Sequence, residues 1–359
     1  GPYRQTERMP AYERRADELL GSGGAYPCFC SSQRLDDLRE AQTTAKGRIA
    51  YDGLCRSVPG AEARRRYVAG EPAVLRFRVP AGETRFRDHI RGDVVFSNDE
   101  VDDWIMMRTD RTPTYNFVVV SDDVDMRITH VLRGEEHLVN TPKQVLLYRA
   151  LGLEPPEFGH LPLMLGTDGK KLSKRTGDTA LEEYRDKGYP REAIVNFLCL
   201  QGWALDGATE VFSLDELVRN FEMKDVTKSG AVFDPDKFRW LAGEYIRAET
   251  VEALAEHCAP YVVAAGLTTA ADLAERRDWF HAVLRTERER ISTYAELPPR
   301  IAYLFQEDGD VAWDPGAEER VRKTAGAACV LADFGAWLAQ RLEAGATTDD
   351  LRAEGPQWV

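Results

Sequence analysis

The sequence predicts an α/β protein built on a parallel sheet and followed by an all-helical C-terminal region. Three observations carry this expectation. A strand–loop–helix–strand succession runs between residues 126 and 165, an arginine-rich alternation spans 73–96, and strand signals fade after residue 180. Ala-rich helical patterns dominate from about 241 to 345, with no repeat period and no low-complexity segment. At 359 residues the chain exceeds a single core, so two or more domains are expected, with a boundary near 240.

The elements follow in order. Met9, Tyr12, Ala16, Leu19 and Leu20 recur near helical spacing and predict a helix over 7–20, ended by Gly21, Gly23 and Gly24. A second helix is expected over 31–42 with Ser31 or Ser32 as N-cap. From residue 73 the pattern alternates: Val74, Arg76 and Arg78 on one face, Leu75, Phe77 and Val79 on the other, then a Pro80-Ala81-Gly82 turn. Residues 115–120 and 126–132 read as strands joined by Asp122, Asp123 and Asp125. A helix capped by Asn140 or Thr141 comes next, with Pro142 in its first turn, Val145, Leu146, Tyr148 and Leu151 on its core side, and Gly152 as its stop. The apolar run Leu161–Leu165 closes a βαβ pattern, which places ligands at the carboxyl ends of parallel strands.

Composition removes several classes. No run of about 18 apolar residues exists, so no membrane span is expected, and the N-terminus has no apolar signal core. The six cysteines are too sparse for a disulfide scaffold, and a reducing cytoplasm is the simplest reading. The net charge of −13 argues against a global attraction to nucleic acid. Residues 241–359 carry −9 of it, so any phosphate contact must come from local basic patches.

Four constellations hold chemistry. Lys170-Lys171-Leu172-Ser173-Lys174-Arg175 follows a strand and an Asp168-Gly169 turn. It reads either as a solvated surface loop or as a basic loop that swings onto a triphosphate. Thr112-Pro113-Thr114-Tyr115 and Arg133, Glu135, Glu136 and His137 form the second group. An arginine at a strand end suits bidentate capture of a carboxylate; the rival reading is a surface ion pair with Glu135 or Glu136. Cys28, Cys30 and Cys55 hint at zinc, but structural zinc takes four ligands, position 57 is Ser57, and free or buried thiols are favoured. Arg76, Arg78, Arg85, Arg87 and Arg91, interleaved with Phe77 and Phe86, suit a folded-back RNA strand or an exposed, charged sheet face.

In this order the pieces resemble glutamyl-tRNA synthetase, a class I aminoacyl-tRNA synthetase. The resemblance rests on Gly1–Arg8, Cys28-Phe29-Cys30 and Tyr51–Arg56, Arg76–Pro80 and Thr84–Asp88, Thr112–Phe117, Thr129–His137, Asn140–Gln144, and Lys171–Arg175. It is dense from 1 to about 245 and weak beyond. It implies a Rossmann-like class I catalytic domain with an α+β insertion and an all-α C-terminal region. The implied division is 1–27 for the remainder of a first Rossmann half, 28–111 for an acceptor-end-binding insertion, 112–172 for the second half, 173–240 for a connecting domain and 241–359 for a helical anticodon-binding region.

The resemblance also implies roles. Lys171, Ser173 and Lys174 would be catalytic, and Tyr115 and Arg133 would bind glutamate. Glu136, Met164, Lys171, Lys174 and Arg175 would bind ATP with Mg2+, and Arg85 and Arg87 would touch tRNA. Expected partners are tRNA(Glu), glutamate and ATP, with a monomer in the cytoplasm and no membrane. The chain departs from the pattern twice. It begins downstream of the family's first signature, so it reads as N-terminally truncated and the catalytic domain as incomplete; and Ser57 stands where zinc-binding members carry His, which makes zinc doubtful. A non-catalytic tRNA-binding remnant and glutaminyl-tRNA synthetase are the alternatives.

Overall fold

A computed structural model describes residues 1–172, 180–306, 315–347 and 350–351. The chain divides into two compact units, residues 1–249 with 289–294, and residues 250–288 with 295–359.

The first unit opens with α1 (Met9–Ser22), β1 (Ala25–Cys28), α2 (Ser32–Thr44) and α3 (Gly60–Val68). Gly23 ends α1 with a left-handed φ of 81°, which costs glycine nothing. Ser31 caps α2, its hydroxyl accepting from the Arg34 N–H. Strands β2 (Val74–Phe77), β3 (Glu83–Asp88), β4 (Gly92–Ser97) and β5 (Ile105–Met107) follow. Strand β2 lies between β1 and β5 in an antiparallel sheet. The β3–β4 hairpin joins a different sheet, of order β4-β3-β7-β6, in which β6 is His130–Gly134 and β7 is Glu157–Leu161. The segment 28–111 therefore contributes strands to two sheets.

Tyr115–Met126 is a helix, α4, where the sequence pattern predicts a strand over 115–120. The Val118-Val119-Val120 run favours strand by β-branching and short length. Packing decides otherwise: Phe117, Val120 and Ser121 are buried and Val124 half-buried, an i, i+3, i+4, i+7 face laid into the core. The acidic residues expected in a strand connection instead lie on a helix, where Asp122 and Asp125 each take a 2.6 Å bond from Arg8. Arg127, in the left-handed region at φ 56°, ends it.

Strand β6 (His130–Gly134), helix α5 (Thr141–Ala150) and strand β7 (Glu157–Leu161) form the expected βαβ crossover, with β6 and β7 parallel. The closing strand sits four residues earlier than Leu161–Leu165. The later residues supply only β8 (Met164–Leu165), paired in parallel with β9 (Ala231–Val232). The core joins Tyr12, Leu19, Leu75, Phe77, Met106, Phe117 and Leu147. Truncating Phe117, fully buried at its centre, is expected to cost about 3–5 kcal/mol, read as a lower denaturant midpoint at unchanged m-value.

Helices α6 (Leu181–Asp186), α7 (Arg191–Leu200), α8 (Leu214–Asn220) and α9 (Pro235–Ala248) complete this unit. A second core forms where Phe197 stacks on Phe238 at 4.3 Å, with Ile194 and Leu241 around them. Asp234 caps α9 by accepting two backbone N–H bonds.

The described residues of the second unit are all helical or irregular: α10 (Val251–Ala264), α11 (Ala270–Glu275), α12 (Arg277–Glu287), α13 (Leu297–Ile301), α14 (Pro315–Lys323) and α15 (Ala327–Glu343). Leu254, Cys258, Val262, Leu273, Phe280, Leu284, Leu297 and Ile301 are its buried apolar residues.

Candidate active site

Parallel pairing sets Arg133 of β6 directly beside His160 of β7. The Arg133 side chain is half-buried and held on one edge. Its Nε donates to His160 Nε2 at 3.2 Å, and its Nη2 donates to Thr141 Oγ1 and Gln144 Oε1, both at 2.9 Å. Because His160 Nε2 accepts, Nδ1 carries the proton and donates to Asp88 Oδ2 at 2.6 Å. Asp88 also accepts the backbone N–H groups of Ile90 and Arg91. Burial works against this carboxylate, but the His160 bond and these N–H groups win and bring Asp88 down to about 2. A line Asp88–His160–Arg133 thus aims one guanidinium, whose Nη1 takes part in none of these bonds.

Tyr115 stands at the start of α4, half exposed, with its ring 6.0 Å from that of His137. Burial draws the Arg133 guanidinium below its usual value, against the pull of Tyr115 and Asp123. Asp123 itself is pushed up to about 6, first by burial and then by Asp122. Tyr115 and Arg133 therefore converge, although Tyr115 reaches the site from a helix rather than a strand.

Beyond β6 the chain turns at Gly134, where a Cβ would collide with the Glu136 carboxylate. Lys171 Nζ donates to Glu136 Oε1 at 2.8 Å and holds that carboxyl below its ordinary range. Glu135 takes the Arg91 ion pair and accepts the Leu163 N–H at 3.2 Å. A cavity of about 360 Å³ opens here, lined by Gly134, Glu136, Leu163, Met164, Lys171 and, on its apolar wall, Phe197 and Phe238. Ser173, Lys174 and Arg175 lie outside the described residues.

The arginine series divides. Arg76 is buried, donating to the Asp103 carbonyl at 2.6 Å and stacking on Tyr51, and Arg91 is spent on Glu135. Arg85 and Arg87 of β3 are exposed, Arg85 beside Glu83 at 2.6 Å.

Cys28, Cys30 and Cys55 bring their sulfurs within 4.8 Å of one another. Burial pushes the Cys30 thiol up to about 11; at Cys28 burial is outweighed by hydrogen bonding, and the thiol falls below its usual value. The trio offers three of the four ligands of a structural zinc, while Ser57 donates its hydroxyl to the Leu54 carbonyl at 2.8 Å.

Sequence reasoning missed Asp88, His160, Thr141 and Gln144 as a support for Arg133. Three of them lie in stretches that carry the resemblance, but nothing local marks them as partners.

A crossover βαβ with a guanidinium at one strand end and a lysine facing a carboxylate beside the cavity defines a Rossmann-like domain of the nucleotide-binding kind. Residues 1–240 match the family model of the catalytic domain of class I tRNA synthetases (E and Q), and the chain belongs to that family. It is 44% identical to the glutamate–tRNA ligase of Natranaerobius thermophilus over 87% of this chain and 64% of that one. The glutamate–tRNA ligase of Symbiobacterium thermophilum is 46% identical over 86% and 65%. A crystal structure of a glutamate tRNA ligase from Elizabethkingia meningosepticum, in complex with its amino acid, superposes with a TM-score of 0.78 at 28% identity, covering 93% of this chain and 70% of that one. The chain spans slightly under two thirds of the curated relatives it matches.

Proposed function

We propose that the complete protein is a glutamate–tRNA ligase. The observation that carries this reading is Arg133: a half-buried guanidinium, fixed from behind by His160, Thr141 and Gln144, at the carboxyl end of a parallel strand. Such a fork suits the side-chain carboxylate of glutamate. Tyr115, whose charge acts on Arg133, is the second group that would meet the bound glutamate. The α-carboxylate of glutamate attacks the α-phosphorus of ATP, the bond to pyrophosphate breaks, and glutamyl-adenylate forms. A hydroxyl of the terminal tRNA ribose then attacks the acyl carbon, loses its proton, and AMP leaves. No enzyme nucleophile takes part; the protein positions two anions and stabilises added charge.

Lys171, Lys174 and Arg175 hold the phosphates of magnesium-bound ATP, Ser173 acts with the two lysines in catalysis, and Glu136 and Met164 border the nucleotide. Exposed Arg85 and Arg87 face the tRNA acceptor end. The reading places the protein in the cytoplasm as a monomer. Among the described residues no helix is long and apolar enough to cross a membrane.

The test is tRNA-dependent ATP–pyrophosphate exchange by the complete gene product, with glutamate and glutamine compared. Exchange with glutamate supports the reading; exchange with glutamine alone, or none, overturns it. Lys174→Ala is expected to slow adenylate formation by roughly 10²–10³, the loss of one transition-state donor. Unchanged turnover removes Lys174 from the mechanism.

A further inference from the structure

Away from the Arg133 side chain, at the opposite ends of β6 and β7, His89, His130 and Glu157 each place a ligand atom within 4.8 Å of the others. They come from two neighbouring strands, β6 and β7, and from the turn that follows β3, in a sheet of order β3-β7-β6. His130 opens β6 and Glu157 opens β7, and the two are direct partners in the parallel ladder. His89 follows Asp88 at the end of β3, and its backbone N–H donates to the Phe158 carbonyl of β7 at 2.8 Å. The parallel ladder fixes the Cα positions of His130 and Glu157, and the bond to Phe158 ties His89, the first residue of the β3–β4 turn, to the same sheet.

The side chains converge from that base. His89 Nε2 lies 2.6 Å from Glu157 Oε2, and His130 Nε2 lies 3.8 Å from Glu157 Oε1. The imidazoles face each other at 6.0 Å between centroids, 24° from parallel. Ligand atoms around a four-coordinate zinc-sized ion stand roughly 3.4 Å apart, a value that follows from metal–nitrogen bonds of about 2.0–2.1 Å. The observed 2.6 Å and 3.8 Å fall on either side of it. The far nitrogen of His130, Nδ1, bonds Thr129 Oγ1 at 2.9 Å, which turns Nε2 toward Glu157. Metal-binding histidines are oriented by such a bond from their second nitrogen. The side chains are 37%, 49% and 62% exposed, so water can reach the remaining positions. A hydrogen-bonded surface pair explains His89 and Glu157 but not the second imidazole aimed at the same carboxylate.

We propose that His89, His130 and Glu157 form a binding site for a divalent first-row transition ion of the cobalt, nickel, copper or zinc class, completed by water. Two imidazoles and one carboxylate suit that class over magnesium or calcium, which favour all-oxygen shells. A bound ion ties the starts of β6 and β7 to the residue after Asp88, whose carboxylate holds His160. The site lies outside the ligand-bearing ends of β6 and β7, and the inference does not depend on ligase activity.

The experiment is a CoCl2 titration of the tag-free, reduced chain, followed by calorimetry and absorption. Nitrogen and oxygen ligands give d–d bands alone; cobalt on the cysteine cluster adds sulfur-to-metal charge transfer, so the two are told apart in one spectrum. We expect one equivalent with d–d bands alone, weakened at least about 10-fold by His130→Ala and by Glu157→Gln, with any charge-transfer band unchanged. His89→Gln is a third variant should either of these lose its circular dichroism. Unweakened binding in the folded variants, or cobalt seen only with sulfur charge transfer, overturns the proposal.

Discussion

Arg133→Ala is expected to raise the KM for glutamate by roughly 10²-fold, in line with the 2–5 kcal/mol lost when a hydrogen-bonded, desolvated charge loses its partner. The geometry supplies the reason. Nε and Nη2 are committed to His160, Thr141 and Gln144, so the guanidinium is oriented before any ligand arrives and little rotamer freedom is lost on binding. Arg133→Lys keeps the charge but not the fork, and its KM is expected to rise nearly as much. Steady-state kinetics at saturating ATP and tRNA, on variants shown to be folded, is the measurement. A defect confined to tRNA binding would remove Arg133 from the glutamate site.

The second large effect concerns folding. Asp88→Ala is expected to destabilise the first unit by about 3–5 kcal/mol, because it strands a fully buried His160 and the N–H groups of Ile90 and Arg91. Urea unfolding of variant and parent, compared by midpoint, measures it. The same carboxylate sets an acid limit. Its folded pKa of about 2 lies below the usual 3.8, so its stabilisation is complete above about pH 4 and is lost as pH falls through 2. The shift corresponds to roughly 2 kcal/mol. Asp123 acts with the opposite sign. With a folded pKa raised to about 6, its contribution is present below about pH 4 and is lost as pH rises through 6. Between pH 4 and 6, where Asp88 no longer contributes a slope, Asp123 is therefore expected to make stability fall as pH rises, and Asp123→Asn is expected to remove that fall.

Much of this fold is legible because its signals are local. Ser31 before α2, Pro142 in the first turn of α5 and Gly152 after it mark boundaries that chain chemistry alone enforces. The parallel crossover follows from a strand, helix and strand in succession. Helix α4 is the counter-example. Val118, Val119 and Val120 carry a strand's propensity, and the helical face appears only once Phe117, Val120 and Ser121 have a core to enter. Arg76 teaches a similar lesson: alternation marks it as facing outward with Arg78, yet Asp103 and Tyr51 cover it. Ion pairs and stacking between residues distant in sequence leave no periodic trace.

The candidate site divides in the same way. Arg133, Tyr115, Glu136 and Lys171 were identifiable as a co-linear set, since each sits in a short motif. Their support was not. His160 is a lone histidine in an apolar strand, and its tie to Asp88 spans 72 residues of sequence. Only the parallel register of β6 and β7 places it beside Arg133.

The most direct test of the central claim is a crystal structure of the protein with glutamate and a non-hydrolysable ATP analogue. The account predicts a glutamate carboxylate within hydrogen-bond distance of the Arg133 guanidinium, with the nucleotide against Leu163 and Met164 and its phosphates toward Lys171. Glutamate bound elsewhere, with Arg133 still turned only to His160, Thr141 and Gln144, would contradict it.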